Sequence, residues 1–506
     1  MISSPTAAAL DDPRRLRTIL VAVCVALMAV IASVSGLNVA QQEIALAFGA
    51  SQGTVLWIIN AYTITLAALL LPLGAVGDRW GRKPVLLAGL AVFGVASAAA
   101  GLAPTSEIMI AARFLSGVGA AMIMPVTLAV ITSTFPDEQR SRAIGVWTGV
   151  AGGGGLLGMY LSALLVDVAS WRWLFVLPVA LVVVAAAMAL RSVPNSREES
   201  PHAFDVVGSL TSVVAAVGLI FVLHEGPDRG WTAPATLGSL LVGVLGAAAF
   251  VAWELRRPSP LLDIRLFRDR GLASGSVSLL TLFGVQAGIF VVLFPYFQAV
   301  LGWSGLRSTL ALMPMAVLMM LASGLAPRLA ARTGPRTTMA SGIFLGALGL
   351  ALMATFVSVD GGYLSVLPGM IAMGLGMGLT MTPSTEAITG ALPRERQGVA
   401  SALNDVTREF GTALGVALLG AIVSAGYRGA IDSRLGGVPE ETADRAREGI
   451  ATALAAADGP RAQELIRAAQ ESFVDGWQQA MWAGVAVMTA LGGYVLTRAP
   501  RVRPRR

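Results

Sequence analysis

Charged residues are scarce in this 506-residue chain. Asp, Glu, Lys and Arg make up 13% of it, against about 25% in a typical soluble domain. A water-soluble globular protein is excluded, because most of the chain has no water to face. Cysteine is nearly absent: Cys24 stands alone in an apolar run, so the chain can form no internal disulfide and no thiolate metal site. The only histidines, His202 and His224, lie in no ligand pattern, and lysine occurs once, at Lys83. There is no nucleophile–base pair and no phosphate loop. The glycine run from Gly152 to Gly155 sits inside an apolar stretch, where glycine serves packing and flexing rather than phosphate binding. The expectation is a protein that is not an enzyme and uses neither cofactor nor metal.

What the chain has in abundance is apolar length. Hydrophobic residues make up 55% of it and mean hydropathy is +0.72. Runs of about 20 residues, enough to cross about 30 Å of hydrocarbon, fall at roughly 18–40, 54–76, 84–103, 107–131, 142–167, 172–190, 206–225, 233–254, 272–299, 306–330, 336–357, 363–390, 397–425 and 477–498. These predict an all-α polytopic membrane protein of about fourteen spans. The first run, from Thr18 to Gly36, follows Arg14, Arg15 and Arg17 but is too long for a signal-peptide core. Net charge is +6 and the sequence pI about 10.0. The arginines come in short islands between spans rather than in one patch with interleaved aromatics, which argues against a nucleic-acid partner.

The islands occupy alternate loops, the pattern of a cytoplasmic side. One set carries Arg79, Arg82 and Lys83; Arg140 and Arg142; Arg191 and Arg197; Arg256, Arg257, Arg265, Arg268 and Arg270; Arg332 and Arg336; Arg394 and Arg396. The opposite loops hold isolated Arg172, Arg229 and Arg307. Both termini, residues 1–17 and the basic tail 499–506, are therefore expected in the cytoplasm. Residues 426–475 carry mixed charge and are expected as a polar, helical excursion on the outside.

An internal repeat is also legible. ITSTFP at Ile131–Pro136 recurs as ITGALP at Ile388–Pro393. Gly117, Gly119 and Pro125 upstream of the first copy match Gly376, Gly378 and Pro383 upstream of the second. Gly81-Arg82-Lys83 has a fainter match in Gly334-Pro335-Arg336, with Ala331 where the first copy has Asp78. The spacing predicts two similar six-helix halves, with the seventh and eighth spans inserted between them.

The turn after the second span reads GAVGDRWGRK from Gly74 to Lys83. Charge of this density between two apolar spans fits a tight turn outside the hydrocarbon, with glycine where backbones touch. It resembles the signature turn of the major facilitator superfamily. Arg113-Phe-Leu-Ser-Gly-Val-Gly, AIGVWTGVAGGGG from Ala143, SWRWLF from Ser170, PYFQAVLG from Pro295 and VASALNDVTREFG from Val399 extend the likeness. With its inserted pair, the chain resembles the fourteen-helix drug:proton antiporters of the EmrB/QacA type. That resemblance implies the major facilitator fold: a six-helix bundle over 18–190, an inserted helix pair over 206–254 and a second six-helix bundle over 272–498. It implies export of amphipathic drugs or antibiotics across the bacterial cytoplasmic (inner) membrane, in exchange for protons. The partners would be the small-molecule substrate, protons and the lipid bilayer. A dedicated exporter of one endogenous metabolite, an uncoupled facilitator, and a non-transporting sensor or scaffold are the alternatives. The chain departs from the family pattern at three places. Ser33 stands where helix 1 often has an acid, Asn60 where helix 2 often has Asp, and Gly158-Met159 with Ser162-Ala163 replace the Gly-Pro-x-x-Gly-Gly of helix 5.

Candidate residues follow. The resemblance implies a gating motif of Gly74, Asp78, Arg79, Gly81, Arg82 and Lys83, in which Asp78 latches onto the positive end of a helix in the other half. Asp405, Arg408 and Glu409 fall at i, i+3 and i+4 and share one helical face. An arginine moving away from such an acid would switch its protonation, so these three are candidates for proton coupling, the other reading being a static ion pair. Arg113, an intramembrane cation, and Glu386 join them. Asn38, Asn60, Tyr62 and Gln286 are the polar candidates for a substrate cavity. Met373 and Met377, on a stripe with Met370 and Met381, are adaptable candidates there, although such stripes more often pack a core.

Overall fold

The computed structural model describes residues 12–197, 204–458 and 461–500. Its principal elements are α1 (Pro13–Val39), α2 (Gln52–Trp80), α3 (Arg82–Gly101), α4 (Ser106–Thr134), α5 (Asp137–Val168), α6 (Val176–Ser192), α7 (Val206–Arg229), α8 (Pro234–Glu254), α9 (Arg270–Pro295), α10 (Met313–Thr333), α11 (Pro335–Phe356), α12 (Gly362–Thr389), α13 (Gln397–Ile431) and α14 (Ala462–Arg498). Each coincides over most of its length with one of fourteen stretches apolar and long enough to cross a bilayer. Among the described residues there is no β-strand.

In the first half α4 packs between α2 and α3, while α1 packs on α5 and α6. In the second half α12 packs between α10 and α11, and α9 on α13. The sequence repeat is thus a repeat of packing. Gly119 sits against the Phe93 backbone of α3, and Gly376 against Gly342 and Gly346 of α11. Gly117 meets Tyr62 and Thr65 of α2, while Gly378 meets Met319 and Ala322 of α10. The faint echo in the turns is real in the backbone. Gly81 (φ 108°, ψ 133°) joins α2 to α3 and Gly334 (φ 88°, ψ 148°) joins α10 to α11. Only glycine adopts this region without strain.

The halves meet where α5 packs on α10 and α13 on α2 and α4. The inserted α7 lies over this seam, touching both α2 and α13, with Trp57 and Phe221 rings 6.1 Å apart. Outside it, α8 packs mainly on α7 and presents most of its surface outward.

The structure corrects several span ends. α13 and α14 run on to Ile431 and back to Ala462, so both ends of the 426–475 segment are helix continuous with the adjoining spans. Only 432–461 separates the two helices, and it holds the short helices Glu440–Glu448 and Ile450–Ala455. Hydropathy marks where hydrocarbon ends, but Ala, Glu, Gln and Arg have high helix propensity and carry the backbone bonds further. The tenth predicted span is two helices, Gly305–Ala311 and α10, and the ninth ends in a π-turn, Tyr296–Val300. On the polar extension of α14, Arg467 pairs with Asp360 at 2.6 Å. That guanidinium holds the Asp360 carboxyl below its ordinary range, so the pair persists until pH falls through the lowered value. Residues 1–11 and 501–506, including most of the basic tail, lie outside the described residues, as does His202.

Gly411 and Gly415 let α13 press onto the α9 backbone at Leu280 and Gly284. Any Cβ at Gly415 would collide with main chain, which cannot swing aside as a side chain can. We predict that Gly415→Val costs about 1–3 kcal/mol by overpacking, read as a lower unfolding temperature in detergent. An unchanged midpoint would contradict this packing.

Candidate gate and central cavity

Asp78 lies in the last turn of α2, buried at 2% exposure. Its Oδ1 accepts from the Gly398 amide at 2.8 Å and its Oδ2 from the Val399 amide at 3.0 Å. These are first-turn amides of α13, which have no partner within their own helix and carry the positive end of its dipole. Arg82 closes the arrangement from the other side of the turn. Its Nη2 and Nε donate to Asp78 Oδ1 at 2.8 and 3.2 Å, and Nη2 reaches the carbonyls of Arg394 and Glu395 at 3.0 and 3.1 Å. Gly74, one turn earlier, admits the Gly398 carbonyl so closely that a Cβ would stand 2.6 Å from it. Gly74, Asp78 and Arg82 therefore join the halves.

The rest of the motif works locally. Gly81 makes the turn, and Lys83 donates to the Leu190 carbonyl at 2.7 Å within the first half. Arg79 lines a small cavity with Asp205 and Arg396. Two contributors escaped the sequence reading. Gln397 knits the α12–α13 turn by donating to the carbonyls of Thr389 and Leu392, both at 2.9 Å. Arg394 reaches Asp137, at the start of α5, at 2.6 Å. Both lie just after the repeat of ITSTFP, Ile388–Pro393, which was the available signal.

A cavity of about 270 Å³ lies between the halves. Gln286, Arg408, Glu409, Thr63 and Thr412 supply its polar lining, beside Phe283, Phe290 and Met124. Arg408 stacks 4.5 Å from the Phe283 ring, and its Nη2 reaches the Ala151 carbonyl of α5 in the first half at 3.4 Å. Asp405, although on the same side of α13, does not line this cavity. It is fully buried, takes a hydrogen bond from Asn404 at 3.2 Å, and stands 3.6 Å from Arg408 Nη1. Among the described residues its Oδ2 and Arg408 Nε have no hydrogen-bond partner. The triad is thus layered, with Arg408 and Glu409 lining the cavity and Asp405 sealed behind them beside Arg408.

The other candidates scatter. Arg113 is buried in the first bundle, donating to Ser33 Oγ at 2.9 Å and lying 4.3 Å from the Tyr62 ring. No carboxylate pairs with it among the described residues. Tyr62 is consequently covered by Arg113 rather than open to the cavity, and its hydroxyl points to the Val30 carbonyl at 3.5 Å. Asn60 does not line the cavity, and the side chain of Asn38 lies outside the described residues. Met373 and Met377 are fully buried in the second bundle, so the stripe packs a core and does not face the cavity. Glu386 borders a different, polar cavity of about 360 Å³ with Arg140, Arg394 and Gln397. A hydroxyl triangle was also missed. Thr148 of α5 lies 2.7 Å from Ser323 and 2.8 Å from Thr382, pinning the halves together beside Gly145. Isolated Ser and Thr in apolar spans give no sequence signal for such a meeting.

Two repeated helical bundles enclosing a cavity, with a polar latch at one end, define a polytopic membrane transporter. The chain belongs to the Major Facilitator Superfamily, whose model matches residues 21–416. It is similar to the multidrug efflux pump LfrA of Mycolicibacterium smegmatis, 33% identical over 85% of each chain. The tetracenomycin C resistance and export protein of Streptomyces glaucescens is 31% identical, over 95% of this chain and 91% of that one. The puromycin resistance protein pur8 of Streptomyces alboniger is 32% identical, over 88% and 89%. Among solved structures, the human organic anion transporter MFSD10 aligns with TM-score 0.60 at 14% identity, covering 94% of this chain and all of that one. The proton:xylose symporter XylE aligns with TM-score 0.60 at 13% identity, covering 96% of each. These two share the fold.

The latch makes a definite prediction. Removing one partner of a buried, hydrogen-bonded pair costs about 3–5 kcal/mol. In a Cys24→Ser background, Ser401→Cys places a thiol on α13 where Ser401 is fully buried. Adding Asp78→Ala is expected to raise its labelling rate at least roughly tenfold. Equal rates with and without Asp78 would show that the latch does not hold the seam.

Proposed function

We propose that this protein exports amphipathic drugs or antibiotics from the cell in exchange for protons. The observation that carries the reading is the layered Glu409–Arg408–Asp405 group at a cavity between halves whose Asp78 end is latched. The arginine-rich loops support a reading in which that end, and both chain termini, face the cytoplasm of a bacterial inner-membrane protein. The relatives named for export of, or resistance to, tetracenomycin C and puromycin support the substrate class.

In the latched state the cavity is shut towards the cytoplasm. A proton arriving from outside neutralises Glu409 or Asp405, and Arg408 loses part of what holds it. Arg408 also touches Ala151 in the opposite half, so its movement alters the seam directly. Release of Asp78 from the α13 amides then opens the cytoplasmic side, substrate enters, and the proton leaves. One charge crossing the membrane potential supplies about 2.3 kcal/mol per 100 mV. The cavity offers aromatic area, the Gln286 amide, the Arg408 guanidinium and the Glu409 carboxyl, which suits neutral, weakly basic or anionic amphipaths.

Expression in an efflux-deficient host should raise resistance to a subset of a drug panel, and an uncoupler should abolish the gain. In inverted vesicles, Glu409→Gln and Asp405→Asn are each expected to cut proton-driven transport at least tenfold, about 1.4 kcal/mol or more, while substrate-gradient exchange continues. Full proton-driven transport in both variants would rule out this coupling site.

A further inference from the structure

Trp147 of α5 is fully buried and does not line the cavity. Its indole Nε1 donates to Thr127 Oγ1 of α4 at 3.1 Å, and that hydroxyl donates to the Met124 carbonyl at 2.7 Å. A buried indole N–H needs such a partner, and the bond also fixes the plane of the ring. The Arg408 guanidinium lies 5.7 Å from the centre of this ring and 4.5 Å from that of Phe283. Both are within reach of a cation–π attraction, which strengthens where water is excluded. Trp147 belongs to the first half and Phe283, on α9, to the second.

The polar contacts of Arg408 run the same way. Its Nη2 reaches the Ala151 carbonyl at 3.4 Å, and Ala151 lies one turn beyond Trp147 on the same face of α5. Its Nη1 stands 3.6 Å from Asp405 Oδ1, three residues away on its own helix. A guanidinium free to close on a carboxylate settles at about 2.7–2.9 Å, so at the observed distance the two make no hydrogen bond. Among the described residues Nε and Nη1 of Arg408 have no hydrogen-bond partner.

We propose that Trp147 is a positioning residue: with Ala151 it seats the Arg408 guanidinium in the first half and keeps it from closing on Asp405 while the halves are latched. When the halves part, Arg408 loses Trp147 and Ala151 but keeps Phe283, which travels with it. It then closes on Asp405, and the proton carried by that carboxyl passes to water on the opened side. One cation thus tells the acid where the other half stands. This role rests on the antiport reading above; the contact between Trp147 and Arg408 does not.

Transport by the full-length protein in proteoliposomes tests the role. Trp147→Leu is expected to cut proton-driven transport at least roughly fivefold, while substrate-gradient exchange continues and shows that the variant is folded. Trp147→Phe keeps a ring and should recover most of the loss. Thr127→Val frees the indole without opening the core and should give a smaller loss of the same kind. A tryptophan that only packed the core would lower both transport modes together. That result, or no recovery with Trp147→Phe, would overturn the proposal. Thermal unfolding in detergent tests the contact separately. Trp147→Leu should lower the midpoint by roughly 1 °C more in the unaltered chain than in an Arg408→Met background. Equal drops in the two backgrounds would show that the ring does not hold the cation. An unaltered chain without proton-driven transport would overturn the antiport reading, and the unfolding comparison would still decide the contact.

Discussion

The carboxylate of Asp78, set against two unpaired amides at the start of α13, is the contact on which the rest of the architecture turns. It is buried, and a buried charge is tolerable only when every lone pair is answered. Here two backbone amides of one half and the Arg82 guanidinium of the other answer it together. Arg82 in turn holds the carbonyls that precede α13. Because so few groups make the closure, moving one helix end breaks it all at once.

The close approach behind this contact depends on missing side chains. Gly74 meets Gly398, Gly145 meets the Ser323 carbonyl, and Gly415 meets Gly284. In lipid, helices gain little from burying apolar surface against one another, so backbone proximity and hydroxyl bonds do more of the work. The Thr148–Ser323–Thr382 triangle is the hydroxyl part of that cohesion. The loss of the proline-glycine string in α5 is met differently: Gly145, Gly149 and Gly153, at every fourth residue, keep α5 against α10.

The two halves repeat in backbone but not in chemistry. Gly81 and Gly334 make matching turns, yet Ala331 replaces the latch acid in the second, so the closure is built once. Cation and acid are likewise unevenly shared. The first bundle buries Arg113 against a serine hydroxyl and a tyrosine ring. The second holds the carboxyl groups of α13, and Arg408 beside them reaches across the seam to the Ala151 carbonyl. The inserted pair covers the same seam from outside and touches both partners of the latch region.

Much of this was determined by the sequence alone. Fourteen apolar runs, the charge islands between them and the duplicated ITSTFP and ITGALP strings lead directly to the helix count and the two-half build, because hydrocarbon admits few alternatives to the helix. The i, i+3, i+4 spacing placed Asp405, Arg408 and Glu409 on one side of α13, and GAVGDRWGRK marked the turn. Tertiary structure decided what each group meets. A helix face spans more than one environment, so spacing could not tell that Glu409 opens to the cavity while Asp405 is sealed behind it. Nor could the methionine pattern separate core from cavity, since both are apolar. The amide partners of Asp78 and the hydroxyl triangle join residues from 59 to more than 300 positions apart. Such meetings arise from how helices pack, which no local pattern encodes.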